Sequence, residues 1–209
     1  MSFQADSPIF EVIAVAYQRY GELELFVLSW INQSFTNWKL RVIHDGPDKQ
    51  FMKIMTRLSE RSADKIEFEC TTHRYNDYGH SLRERGLRKA SGDYVLLTNA
   101  DNYYVPHTVR FLTGVALHSK ADVLLFNMVH SHTVPGGRDL PPYSFFDTRY
   151  ERFSLDIGCA AVRRKLACEA GFKDKTHDGD ATYFEDVARA KAPESLSIWK
   201  IPQIFLVHN

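Results

Sequence analysis

The chain has no excess of charge of either sign: 26 Lys and Arg balance 26 Asp and Glu over 209 residues. A nucleic-acid binder would ordinarily show a basic excess or stripe, and an anionic membrane surface would call for a polybasic cluster; neither is present. Cysteine is scarce. Cys70, Cys159 and Cys168 are scattered, odd in number and without CxxC spacing, which points to reduced thiols in a cytosolic protein rather than a disulfide framework or zinc site. No apolar run approaches the roughly 20 residues that a membrane-spanning helix needs. The opening MSFQADSPIFEVIAVAY has no basic start and carries Asp6 and Glu11, so it makes a poor secretory signal. No GxGxxG follows the first apolar run and no glycine-rich loop with a lysine occurs, which speaks against a dinucleotide enzyme or a nucleotide-sugar pyrophosphorylase. His73, His80, His107, His118, His130, His132 and His177 form no HxxxH or HExxH pair.

What is present is an ordinary globular composition, 44% hydrophobic and 25% charged, in a length that suits one domain with a real core. The chain alternates strand-like and helix-like segments. Phe10–Ala16 is a short apolar, β-branched run, the pattern of a buried parallel strand, and Lys39–Ile43, Ile66–Cys70, Tyr94–Thr98 and Val123–Asn127 read as further strands. Between them, Glu22–Asn32, Met52–Leu58 and Ser81–Ala90 have helical spacing, and Pro106 opens a helix to about His118, using proline's tolerance at a helix start. This βαβαβαβαβ order predicts an α/β fold: a mostly parallel sheet with helices on both faces. From about Met128 to Arg152 the pattern dissolves into PGG, PPY and aromatics, which predicts a long surface loop, a lid or acceptor-binding segment. Order returns at Ile157–Val162, with short helices at Arg164–Ala170 and Ala181–Ala190. The closing SIWKIPQIFLVHN has the look of an irregular strand pair.

Ligands on such sheets bind at the carboxyl ends of the strands, which singles out Tyr17 to Arg19, His44 to Gly46 and Asn99 to Asn102. In Leu97-Thr98-Asn99-Ala100-Asp101-Asn102 an apolar strand empties into a carboxylate flanked by amides. A carboxylate there can hold a hard divalent cation against a diphosphate, although an Asx turn after a strand has the same composition. Asp45 ends the second strand in His-Asp-Gly-Pro. It can accept hydrogen bonds from a nucleobase or a ribose, or simply mark a turn.

Three motifs together resemble family-2 glycosyltransferases. LSWINQSFTNWKLRVIHDG is similar to the family's first helix, turn and second strand, AVAYQR to its first-strand motif, and GHSLRERGLRKASGDYVLLTNADNYYVP to its central segment; they cover roughly residues 9 to 112. IGCAAVRRKLACEAGF and the final His-Asn are similar to later parts of the family pattern, while Met128 to Ser154 shows no match.

The resemblance implies a single GT-A domain over 1–209, with a nucleotide-binding half at 9–127 and an acceptor or catalytic half at 128–209. It implies an inverting transfer from a nucleotide-diphospho-sugar, with UDP as the expected nucleotide, to a saccharide or lipid-linked acceptor, assisted by Mn or Mg. Ala16, Tyr17, Arg19 and Asp45 would line the nucleoside pocket, with Arg83 and Asn99 near the donor. Asp101 would bind the metal and His208 would be a further metal ligand. Asn99 departs from the family's acidic position. The general base would be Asp180 or, after it, Asp186 or Glu185. The acids could equally serve as a solvated helix start. The competing expectation is a non-catalytic relative that binds nucleotide or sugar or serves another transferase. The expected location is cytoplasmic, with lipid-linked acceptors reached at the inner face of the membrane.

Overall fold

A computed structural model describes residues 7–62, 64–131 and 143–209. The first strand, β1 (Phe10–Ala16), is buried along its whole length. It takes β2 (Trp38–His44) on one side and β4 (Tyr94–Asn99) on the other, both parallel, and β3 (Ile66–Cys70) extends the sheet beyond β2. Strand register puts Val12, Ala14, Leu40, Val42 and Leu96 on one face and Ile13, Val15, Ile43 and Leu97 on the other.

Helices cover both faces. On the first, α1 (Tyr20–Ile31) sets Trp30 against Trp38, with ring centres 6.2 Å apart, and α2 (Lys49–Ser59) sets Phe51 against His44 at 4.9 Å. α4 (Thr108–Ser119) lies beside α1, where the Val109 amide donates to Gln33 Oε1. On the second face, α3 (His80–Leu87) approaches so closely that a Cβ on Gly86 would sit 2.4 Å from Ile13 Cγ2. α5 (Arg164–Ala170) lies next to α3, with Cys168 Sγ on the Leu87 carbonyl, and α6 (Gly179–Lys191) packs on α5.

Past β4 the sheet departs from the sequence expectation. The short β5 (Tyr103–Tyr104), β6 (Val123–Ser131), β7 (Tyr143–Phe146), β8 (Ala160–Arg163) and β9 (Ile198–His208) complete the order β3-β2-β1-β4-β8-β6-β9-β5. β8 wedges between β4 and β6 and runs antiparallel to both, so the sheet is parallel in its first half and mixed in its second. The expected loop at Met128–Arg152 is partly strand. β6 continues to Ser131, and β7 pairs with it antiparallel from Met128↔Phe146 to Ser131↔Tyr143, taking the edge of β6 that β8 leaves at Leu125. The PGG and most of the PPY of that segment lie outside the described residues, as does His132. The closing segment is one strand, not a pair: β9 runs parallel to β6 with register shifts around Asn127. Pro202 interrupts its ladder, since proline has no N–H to donate. Among the described residues no helix is long and apolar enough to cross a membrane.

Candidate active site

The carboxyl ends of β1, β2 and β4 open into one cleft of about 410 Å³. Each strand hands over to a turn whose backbone is bent out of the extended form. After β1, Gln18 and Arg19 both take left-handed angles (φ 55° and 49°) before α1 begins. After β3, Asn76, Tyr78 and Gly79 do the same before α3. Gly79 is required there: its φ is +81°, and a Cβ would lie 2.7 Å from Val15 Cγ2. Such angles are costly for residues other than glycine and gather where a site needs particular orientations.

Six of the residues expected from sequence line this cleft: Ala16, Tyr17, Arg19, Asp45, Asn99 and Asp101. Asp45 is buried and holds the opposite wall, its Oδ1 accepting from the Tyr75 amide (2.7 Å) and its Oδ2 from the Asn76 amide (3.0 Å). The Arg74 guanidinium lies over the Tyr17 ring, its Cζ 3.8 Å from the ring centre. His44 sits beneath: Gln18 N–H donates to its Nε2 (3.2 Å), which leaves Nδ1 to donate to the Gly46 carbonyl at 2.8 Å.

On the floor, Arg19 Nη1 meets Asp101 Oδ2 at 2.8 Å, while Asp101 Oδ1 is buried with no hydrogen-bond partner. Arg83 does not line the cleft. It is fully buried behind it, with Nη2 donating to Asn99 Oδ1 (2.6 Å) and Nη1 to the Tyr78 carbonyl (2.8 Å). Asn99 thus presents the buried guanidinium with a neutral amide oxygen where a carboxylate would have neutralised it.

The late acids separate. Asp180 stands in the first turn of α6, its Oδ1 buried without a hydrogen-bond partner and 4.0 Å from His80 Nδ1. His80 Nδ1 faces Arg83 Nη1 at 3.2 Å, so its Nε2 carries the proton and donates to the Thr176 carbonyl (2.9 Å). Burial, then the nearby Arg83 charge, pushes the His80 pKa down; this neutral imidazole offers Asp180 no counter-charge. Glu185 and Asp186 are engaged elsewhere. Arg152 Nε donates to Glu185 Oε1 at 2.9 Å and draws that carboxyl below its ordinary range, and Asp186 is clasped by Arg189.

His208 lies on Asp156, Nε2 to Oδ2 3.5 Å, and its ring stacks on His130 at 4.7 Å. Its Nδ1 is buried with no hydrogen-bond partner. Enclosure by protein pushes the Asp156 carboxyl up, against the pull of His208. For a divalent cation, Asp101 Oδ1 offers one free hard oxygen. Among the described residues no three His, Cys, Asp or Glu gather to hold a cation by themselves. This donor set fits an ion that draws most of its ligands from substrate phosphates, the usual habit of Mg²⁺ at nucleotide sites.

Sequence reasoning overlooked the wall formed by Arg74, Asn76 and Tyr78, although the rule of strand carboxyl ends applies to β3 as much as to its neighbours. Asp156 also escaped it. The signal was an acid before Ile-Gly, where Asp156 Oδ1 caps the Gly158 amide at 2.7 Å.

This sheet and cleft are those of the GT-A glycosyltransferase fold. The crystal structure of S. aureus TarS 1-349 superposes with a TM-score of 0.76 at 17% identity, over 96% of this chain and 60% of that one. A mannosyltransferase from Pyrobaculum calidifontis in complex with GDP-Man and Mn²⁺ superposes with a TM-score of 0.69 at 16% identity, over 98% of this chain and 57% of that one. In sequence, an uncharacterized glycosyltransferase of Haemophilus influenzae is 28% identical over 96 residues, 46% of this chain and 37% of its own length. The chain therefore spans less than two thirds of each of these relatives. The model of glycosyl transferase family 2 matches residues 11–169, and the chain belongs to that family. The match runs through Met128–Ser154, where the motifs alone show no likeness.

Proposed function

We propose that this chain carries the donor site and catalytic residues of an inverting glycosyltransferase, which moves a sugar from a UDP-sugar to a hydroxyl of a saccharide or lipid-linked acceptor on the cytoplasmic side. The observation that carries this reading is the single cleft in which Tyr17, Arg19, Asp45, Asn99 and Asp101 converge at three strand ends of a family-2 chain. TarS in complex with UDP and with UDP-GlcNAc has the same fold, which supports the choice of nucleotide, and the Mn²⁺ complex of the mannosyltransferase supports a cation.

In this reading residues 9–127 bind the nucleotide and 128–209 supply the acceptor side. The nucleoside lies along Ala16 and Tyr17, with its base toward Asp45. Arg19 turns from Asp101 to the donor's diphosphate, and Asp101 Oδ1, with His208 Nδ1 as a second candidate, would hold the cation. A bound divalent cation supplies neutralising charge for the departing nucleoside diphosphate. Arg83, fixed by Asn99, adds a positive field behind the donor. Asp180 takes the proton of the acceptor hydroxyl as its oxygen attacks the anomeric carbon from the side opposite the diphosphate. The unpartnered Oδ1 of Asp180 favours it over Glu185 and Asp186, whose carboxylates are held by arginines.

Calorimetric titration of UDP and of GDP, with and without Mn²⁺, tests the proposal. Metal-dependent binding of UDP that is lost in Asp101→Ala is the expected result. Absence of binding for both nucleotides would overturn the donor reading and favour a non-catalytic relative.

A further inference from the structure

Residues 149–154 form a closed turn between β7 and the buried Ile157. The Arg149 amide donates to the Ser154 carbonyl (2.8 Å), and the Ser154 amide donates back to the Glu151 carbonyl (3.0 Å). The turn is fastened to α6 at two points. Tyr150 Oη donates to the Phe184 carbonyl at 2.7 Å, with its ring edge-on to Phe184, and Arg152 bridges Glu185 (2.9 Å) and Asp178 (3.3 Å).

What this anchored turn presents is Phe153. Its backbone is left-handed (φ 68°), a rare state for a bulky residue, and the residue is 87% exposed. Neither property helps the chain fold. A single exposed aromatic is ordinary, but one held in a left-handed backbone on a turn anchored at two points is the kind of outlier from which a binding role is inferred. Phe153 borders a shallow cleft of about 40 Å³ whose other lining residues are Tyr150, Leu155, Ala181 and Phe184 with Glu151, Arg152 and Glu185. Ala181 follows Asp180, the residue assigned above as base, in the first turn of α6, so the cleft and that acid share one end of the helix.

We propose that Phe153 is the platform for a saccharide ring of the acceptor. The apolar C–H face of a pyranose lies against the phenyl face, and its hydroxyls meet the carboxylates and guanidinium at the edge of the shallow cleft. The cleft joins the apolar faces of Tyr150, Leu155 and Phe184 to Glu151 and the Arg152–Glu185 pair, the mixture that an amphipathic pyranose needs and a wholly apolar partner does not. The inference deepens the glycosyltransferase reading and rests on Asp180 as base.

The test is a glycan array probed with the wild type, Phe153→Ala and Phe153→Trp in saturating UDP and Mn²⁺, with UDP affinity measured separately by calorimetry. The wild type should retain a set of oligosaccharides. Phe153→Ala should weaken them about tenfold or more, a typical scale for losing one aromatic contact face, and Phe153→Trp should keep them. UDP affinity should be equal in all three. Unchanged glycan binding in Phe153→Ala overturns the proposal, as does a wild type that binds UDP but no oligosaccharide. A wild-type dimer in sedimentation that becomes monomeric in Phe153→Ala, with no glycan retained, would assign the ring to a second copy of the chain instead. Should UDP fail to bind while glycans are retained and lost with Phe153, the donor reading falls and the platform stands.

Discussion

Asp45 can be tested for two roles at once. Its carboxylate faces the cleft, and its two oxygens also hold the amides of Tyr75 and Asn76 at 2.7 and 3.0 Å. Asp45→Asn keeps the shape but replaces one acceptor oxygen with an NH₂ that confronts a backbone N–H. One charge-assisted bond is lost, the other becomes neutral, and a donor is left facing a donor. Hydrogen bonds to charged groups contribute about 1.5–3 kcal/mol each, so the expected loss is about 3 kcal/mol. For a domain of this size that corresponds to a fall in Tm of roughly 6–12 °C. Urea denaturation gives the free energy and a thermal scan the midpoint, while UDP titration well below the transition reports the site. Nucleotide affinity should fall together with stability, because the wall at residues 74–76 is released. A variant that loses UDP binding but unfolds with the wild type would refute this reasoning and make Asp45 a ligand contact alone.

Four further outcomes are expected. Gly86→Ala should lose about 1–3 kcal/mol to overpacking, since its Cβ would overlap Ile13 and the neighbouring backbone is sheet and helix; an unchanged urea midpoint would contradict the close approach of α3 to β1. Glu69, whose pKa is held down to about 2 by Arg85 and then Lys89, contributes stability that is present above its unfolded value of 4.5 and is lost as pH falls toward 2. Discounted for solvent screening, Glu69→Gln should cost about 1 kcal/mol at pH 7, and the two unfolding curves should converge near pH 2. Asp180→Asn should bind UDP as the wild type does and lose sugar transfer in a donor-consumption assay; retained transfer would move the base to Glu185 or Asp186. Lys200 ties β9 to the Thr148 carbonyl and hydroxyl and to Asn127 Oδ1. Lys200→Met should cost about 2 kcal/mol through the acceptors left unpaired, read as a shift in urea midpoint without change in its slope.

Much of this protein could be read from local pattern. β1 and β4 are apolar and buried almost throughout, while β2 and the edge strand β3 alternate apolar with charged residues; both patterns mark strands, so these four were legible along with the helices that cross between them. Because ligands gather at the carboxyl ends of such strands, Tyr17, Arg19, Asp45, Asn99 and Asp101 could be named as neighbours though they are spread over 85 positions of chain, from 17 to 101. The second half resisted for a physical reason. β8 is an antiparallel insertion of four residues, β7 is edge-exposed, and β9 carries a proline and register shifts. None of these has a period of its own, and each is a strand only because a neighbour pairs with it.

Sequence alone therefore determined the layered α/β class, the first four strands and the acids that could do chemistry. Tertiary structure decided which of those acids are available, except at Asp186, whose partner Arg189 lies three residues on in the same helix. Glu185 and Asp186 adjoin in sequence, yet arginines from a distant turn and from the same helix take them up. Asp101 and Asp180 each keep a buried oxygen without a hydrogen-bond partner. Availability of a carboxylate depends on what surrounds it in space, and that is set by the packing of elements far apart in the chain.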